Sequence, residues 1–260
     1  MSRIIPFDGV HNFRDFGDYP AARSKRVRRG ALYRSAHHAR ASEADLEALE
    51  KLNLSVIVDL RRPNERARDP NRRWRNFATQ VIDNDIDDLP AGEDPYYTFL
   101  RNSDLSPAQI RDWNLDYYRE APFTPRHIDL FKRYFQALGE ANGPVLIHCA
   151  IGRDRTGILA ALTLHLLGVA RDDILGDYLL TNESARHPER TPDLFKFVEK
   201  VSGRPPSPET VHALAMIETE LLEAAFATIA ARHGGIDRYL ADGLGVDARL
   251  RAAIEHKLLD

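Results

Sequence analysis

Apolar residues along the chain recur with two periods. Val145-Leu146-Ile147 and Val56-Ile57-Val58 are unbroken apolar runs of strand length, the pattern of strands covered on both faces. A further strand is expected around Thr79 to Ile82, and residues 9 to 40 read as short extended pieces joined by a polar loop. Elsewhere the period is helical. Ser42 with Asp45 three residues on, and Ala44, Leu46, Leu49 and Leu52 on one face, predicts a capped helix ending near Leu52. Thr124-Pro125 opens another from about Arg126 to Glu140, which Gly143-Pro144 stops. The stretch after Thr156 is apolar enough for a buried helix ending near Gly168, and Arg171 to Thr181 is amphipathic. Thr191-Pro192-Asp193 and Ser207-Pro208-Glu209 each supply a cap, a proline and an early acid, so helices begin there, and a last one begins at Asp247.

Strands alternating with helices predict an α/β fold, a central mainly parallel sheet with helices on both sides. Two stretches are less regular. The arginine-rich residues 66–75 read as a solvated loop or irregular helix, and the aromatic-rich residues 91–123 as irregular structure followed by a helical piece whose rings serve local packing. Nothing in 260 residues demands more than one domain with an elaboration.

Candidate chemistry concentrates where the run Val145-Leu146-Ile147 delivers His148 and Cys149 into a loop that feeds a helix at Thr156-Gly157. Backbone N–H groups at a helix start and a nearby guanidinium both favour a thiolate over a thiol. Successive amides from Ala150 through Ile151, Gly152, Arg153, Asp154 and Arg155 to Thr156 can wrap a tetrahedral dianion, and Arg155 can grip two of its oxygens. Gly152 lets the backbone turn without a side chain in the cavity. The Thr156 hydroxyl is expected beside the sulfur, and His148 is expected to support the loop. These features predict Cys149 as nucleophile in a phospho-cysteine mechanism.

Composition narrows the picture. Hydrophobic residues at 43% and charged ones at 29% are ordinary for a globular protein, and a net charge of −3 argues against nonspecific nucleic-acid binding. One cysteine excludes an internal disulfide, which fits a reducing compartment. No run reaches transmembrane length and no apolar signal core is present, so the expected location is the cytoplasm, with export lacking a classical signal left open. The ten histidines form no metal-spaced cluster, and no metal or cofactor is expected. Oligomeric state is not readable.

His148-Cys149-x5-Arg155-Thr156 resembles the phosphate loop of cysteine-dependent tyrosine phosphatases. More narrowly, Gly152-Arg153-Asp154-Arg155-Thr156-Gly157 is similar to the bacterial tyrosine phosphatase family whose loop reads Gly-Lys-Asp-Arg-Thr-Gly, with Arg153 for the usual Lys and Ile151 for the usual Ala. Asn12-Phe13-Arg14-Asp15, Leu32-Tyr33-Arg34-Ser35, Asp59-Leu60-Arg61-x3-Glu65 and Asp177-Tyr178-Leu179-Leu180-Thr181-Asn182 follow the same family's pattern. For Asp59-Leu60-Arg61-x3-Glu65 the expected role is a structural ion pair of Arg61 or Arg62 with Glu65.

The resemblance implies a phosphatase-type sandwich with a helical lid or elaboration at about 183–232. It also implies hydrolysis of phosphotyrosine, with phosphoserine/threonine and phosphoinositides as further substrates, and it singles out Asp154 as proton donor. Asp85 and Asp87, in the acidic segment 83–88, are rival donors, because ester cleavage needs an acid near the leaving oxygen. Two other readings of the same loop are an inositol-phosphate hydrolase of phytase type and a silent phosphate-binding module. A rhodanese-like sulfurtransferase fits less well, because its loop is shorter.

Overall fold

The structure is a computed structural model that describes residues 3–86, 94–185 and 190–260. One sheet holds β1 (Arg14–Asp15), β2 (Leu32–Ser35), β3 (Val56–Asp59), β4 (Gln80–Ile82) and β5 (Val145–His148), in the order β1-β2-β5-β3-β4. Only the edge strand β1 runs antiparallel to its neighbour. The expected mainly parallel α/β sheet is therefore present. The helices are α1 (Glu43–Lys51), α2 (Pro63–Arg68), α3 (Pro95–Asn102), α4 (Pro107–Glu120), α5 (Pro125–Glu140), α6 (Asp154–Leu166), α7 (Arg171–Leu179), α8 (Thr181–Ala185), α9 (Arg190–Ser202), α10 (Pro208–Ala215), α11 (Thr219–His233), α12 (Ile236–Arg238) and α13 (Ala248–Leu258).

The apolar strand runs are explained by cover on both faces. Val56, Val58, Val145 and Ile147 belong to the larger core, with α5, α6, α11 and α13, while Ile57 and Leu146 point the other way, into a core with Val10, Phe13, Leu46, Leu49 and Trp74. Helix α6, buried along nearly its whole length, passes through the larger core. The cap of α1 forms as expected, and its Asp45 carboxylate also accepts from the backbone N–H groups of Asp8 and Gly9. That single buried acid thus ties the N-terminal segment to the helix.

Two regions depart from the sequence reading. The helix begun at Ser207 stops at Ala215, and α11 starts afresh at Thr219. Between them Ile217 exchanges two hydrogen bonds with the Asn182 amide, both 2.9 Å. In the aromatic stretch, Asp94 and Pro95 open α3, and Leu100 of α3 packs with Leu105, Ile110, Val198 and Leu214 in a small separate core. Helices α3, α9 and α10 rest on that core, whereas α11 lies in the main one.

Candidate active site

The sheet register lines up Ser35, His148 and Asp59 at the carboxyl ends of β2, β5 and β3. The loop from Cys149 to Arg153 leaves this edge, the usual place for ligand sites in parallel sheets. It turns at Gly152, with φ +67°. A Cβ there would also lie 2.4 Å from the Ser35 carbonyl oxygen, so both backbone conformation and space exclude a side chain. Helix α6 starts at Asp154, two residues earlier than expected, which brings the Asp154, Arg155 and Thr156 amides into its first turn.

The loop's carbonyls are held on its outer side. His148 Nδ1 lies 3.4 Å from the Cys149 carbonyl, and the His37 N–H donates to that of Ala150 at 3.3 Å. Asn12 Nδ2 donates to Ile151 O at 3.4 Å and Gly152 O at 2.8 Å, and Arg34 Nη2 adds a bond to Gly152 O at 3.1 Å. In a trans peptide the N–H opposes the C=O, so the N–H groups of residues 150–153 turn toward the inner side. Successive amides turned to one side of a tight turn make the kind of concavity that suits an anion.

Beneath it, Arg14 and Arg34 share one carboxylate, Asp177, at 3.3 and 2.7 Å. All three are buried. Burial and the neighbouring Arg34 pull Arg14 down to about 10, with Asp177 opposing the fall. Burial would raise Asp177, but the two guanidiniums outweigh it and lower its pKa. Two cations on one anion leave positive charge under the loop. Asn12, which grips the loop, holds a left-handed φ of +56°, a conformation asparagine tolerates better than other side chains.

Arg155 does not stand alone. Its Nη1 and Nη2 meet Glu65 Oε2 and Oε1 at 2.5 and 2.7 Å. Burial alone would raise Glu65, but Arg155 outweighs it and brings the carboxyl to about 2. Burial disfavours the Arg155 charge, Glu65 more than restores it, and Cys149 adds to the same pull. With Glu65 on one edge of the fork, the Nε edge keeps donors for an oxyanion. The expected ion pair of Arg61 with Glu65 is thus corrected: the Glu65 carboxylate takes Arg155 and the Arg62 backbone N–H, the latter at 2.8 Å, and Arg61 pairs with Asp59 at 2.7 Å.

His148 is buried, its Nε2 3.2 Å from Asn71 Nδ2 and 3.6 Å from Asp59. Burial lowers its pKa to about 4, with Asp59 opposing, so a neutral ring supports the loop. Thr156 Oγ1 is buried with no hydrogen-bond partner among the described residues. Cys149 is 1% exposed, while Ile151 on the same loop is 39% exposed.

Asp154 accepts from the Tyr118 hydroxyl at 2.9 Å and from Arg153 Nε at 2.9 and 3.1 Å. Tyr178 in turn donates to Tyr118 at 2.7 Å. Arg153 reaches beyond the loop: its Nη1 donates to Leu214 O at 2.5 Å and lies 3.4 Å from Ala215 O, at the end of α10. Of the rival acids, Asp85 is 87% exposed and ion-paired with Arg66, and Asp87 lies outside the described residues. No group of three or more His, Cys, Asp or Glu among the described residues could hold a metal ion. No described helix is long and apolar enough to cross a membrane. A groove of about 550 Å³ between α4 and α10, lined by Pro107, Arg111, His212 and Met216, includes no loop residue.

Sequence reasoning had quoted the segments of Asn12, Arg34 and Asp177 without assigning them work. The signal was present, since a charged residue inside the strand Leu32-Tyr33-Arg34-Ser35 needs a buried partner. Tyr118 and Asn71 carried no such mark, sitting in stretches read as local packing and solvated loop.

Residues 5–260 match the model of the tyrosine phosphatase family. The chain is 34% identical over 251 residues to a candidate tyrosine-protein phosphatase of Cupriavidus necator, covering 95% of this chain and 86% of that one. It is 30% identical over 259 residues to the triple specificity protein phosphatase PtpB of Mycobacterium tuberculosis, covering 90% and 91%. With these likenesses along nearly its whole length, the chain belongs to the tyrosine phosphatase family.

Proposed function

We propose that this phosphatase works through a phospho-cysteine on Cys149. The observation that carries this reading is the loop itself: Cys149 at the end of β5, four peptide carbonyls engaged outward, and Arg155 steadied by Glu65 with one edge free. The Cys149 sulfur attacks phosphorus, the ester P–O bond breaks, and Asp154 gives its proton to the leaving oxygen. Water then attacks phosphorus, the S–P bond breaks, and Asp154 takes the water's proton. The inward amides and Arg155 hold the equatorial oxygens throughout, which makes most of the catalysis electrostatic and positional. The buried, unpartnered Thr156 hydroxyl is available to the departing sulfur. Asp154 is preferred over Asp85 because it sits beside Arg155, whereas Asp85 is solvated and held by Arg66.

The substrates proposed are phosphotyrosine proteins first, with phosphoserine/threonine and phosphoinositides as further substrates. PtpB's name carries the same breadth. The chain is read as one domain in which the helical elaboration at about 183–232 covers the site. Chemistry at a free thiol suits a reducing compartment such as the cytoplasm.

The test is turnover in EDTA on phosphotyrosine and phosphoserine peptides, phosphoinositides and inositol hexakisphosphate, for wild type and Cys149→Ser. The expected result is a loss of at least about a thousandfold in the variant, with phosphate still bound. Turnover that survives the substitution would sink the mechanism. Preference for inositol hexakisphosphate would move the assignment to a phytase-type hydrolase.

A further inference from the structure

At the position where the resembled loop carries lysine, this chain has an arginine that serves two partners with one planar group. Arg153 Nε binds both oxygens of Asp154, and Nη1 binds the carbonyls of Leu214 and Ala215. Those carbonyls end α10, where the helix leaves its last C=O groups without helical partners and carries partial negative charge. The side chain is 13% exposed, so little water competes for these bonds. Immediately beyond, Ile217 is buried and tied both ways to Asn182, which fixes the chain on one side of the contact. On the other side α10 rests on the small core it shares with α3 and α9. Arg153 is thus a polar bridge between the loop and the end of α10. An ammonium, a single point of charge on a flexible stem, cannot reproduce a fork that spans a carboxylate and two carbonyls.

We propose that Arg153 is a positioning residue that locks α10 onto the phosphate loop, so that the seating of α10 and the placement of Asp154 are set together. In the closed arrangement both Asp154 oxygens accept hydrogen bonds. Lifting α10 releases the guanidinium, which leaves the Asp154 carboxylate held by the Tyr118 hydroxyl. Access to Cys149 and delivery of the Asp154 proton are then one event. The role of Asp154 here rests on the proposed phospho-cysteine mechanism; the attachment of α10 does not.

The experiment measures amide hydrogen exchange of residues 209–215 and the rate of Cys149 alkylation by iodoacetamide, in wild type, Arg153→Lys and Arg153→Gln. Exchange in β3 and β5 serves as the control for folding. Loss of a hydrogen bond from a charged donor predicts exchange in α10 and alkylation of Cys149 about tenfold faster in both variants, with the sheet unchanged. Turnover adds the chemical readout: kcat should fall more for phenyl phosphate, whose leaving group needs a proton, than for p-nitrophenyl phosphate, and lysine should not rescue it. Unchanged exchange and alkylation overturn the proposal, as does faster exchange spread equally through the sheet. Faster α10 exchange without leaving-group dependence overturns the link to Asp154. Because exchange and alkylation need no turnover, the failure of the mechanism and the failure of this attachment are distinguishable.

Discussion

The floor of the phosphate loop and its cover are built by opposite means. The floor is a buried polar network: Asn12, Arg14, Arg34, Asp177 and Thr181 come from the β1 region, β2, α7 and α8, and their contacts are buried. The proposed cover, α3 with α9 and α10, shares a small core with Ile110 of α4 and meets the loop at Arg153. The difference separates two tasks. A nest for an oxyanion must be rigid before substrate arrives, since catalysis by preorganised dipoles is lost if they reorganise. A cover must come away, and local opening is easiest where few apolar contacts oppose it.

The sharpest way to break the floor is Asp177→Ala, which leaves two guanidiniums buried without their carboxylate. Losing one partner of a buried pair costs about 3–5 kcal/mol, and a thermal melt should fall by roughly 10 °C. The same substitution should abolish phosphate binding by calorimetry. A melt within a degree of wild type would mean that the floor is not the rigid half.

Next comes Gly152→Ala. The added methyl meets the Ser35 carbonyl and demands an unfavourable φ, so the loop must shift by about an ångström, enough to lower kcat/KM about a hundredfold. Steady-state kinetics on one phosphotyrosine peptide suffices.

Acid should attack the loop's other supports and the buried histidines in two windows. His148 titrates near 4 in the fold, below its ordinary 6.5, so the unfolded chain binds more protons between those values. Its contribution is complete above 6.5 and is lost as pH falls toward 4, on the order of 3 kcal/mol. Glu65, lowered from 4.5 to about 2, is complete above 4.5 and lost toward 2. Buried His38 and His127, whose pKa values are lowered chiefly by burial, add to the upper window. Urea midpoints measured from pH 7 to 3 check this, and Glu65→Gln should shrink the lower fall, which Asp59 and Asp177 share, while leaving the upper one.

The cover predicts the smallest global effect. Val198→Ala trims the small core, and because that core opens locally the melt should move by only about 1 kcal/mol equivalent. Exchange in α9 and α10 should nevertheless accelerate. A large cooperative loss of stability would erase the distinction between floor and cover.

How much of this was readable in the sequence depends on whether the signal was local. The strand runs at 56–58 and 145–147 and the caps at Ser42, Thr124 and Ser207 announce themselves within a few residues, because periodicity and capping are local physics. Glu65 was seen but given the wrong partner, since its i+4 neighbourhood suggests Arg61 while the fold brings Arg155 from 90 residues away. Tyr118 was read as packing, yet its hydroxyl sits on Asp154.

By itself, then, the sequence determined the α/β class and, through the motif from Cys149 to Thr156 that carries the loop, the tyrosine phosphatase family. Only the tertiary structure decided what holds that loop: Asn12 and Arg34 on its carbonyls, Glu65 behind Arg155, and Arg153 turned from a spare positive charge into a tie to α10. The reason is physical. An amide nest is written in consecutive residues, whereas a buried charge finds its partner across the sheet, where desolvation forbids leaving it alone and sequence distance carries no information.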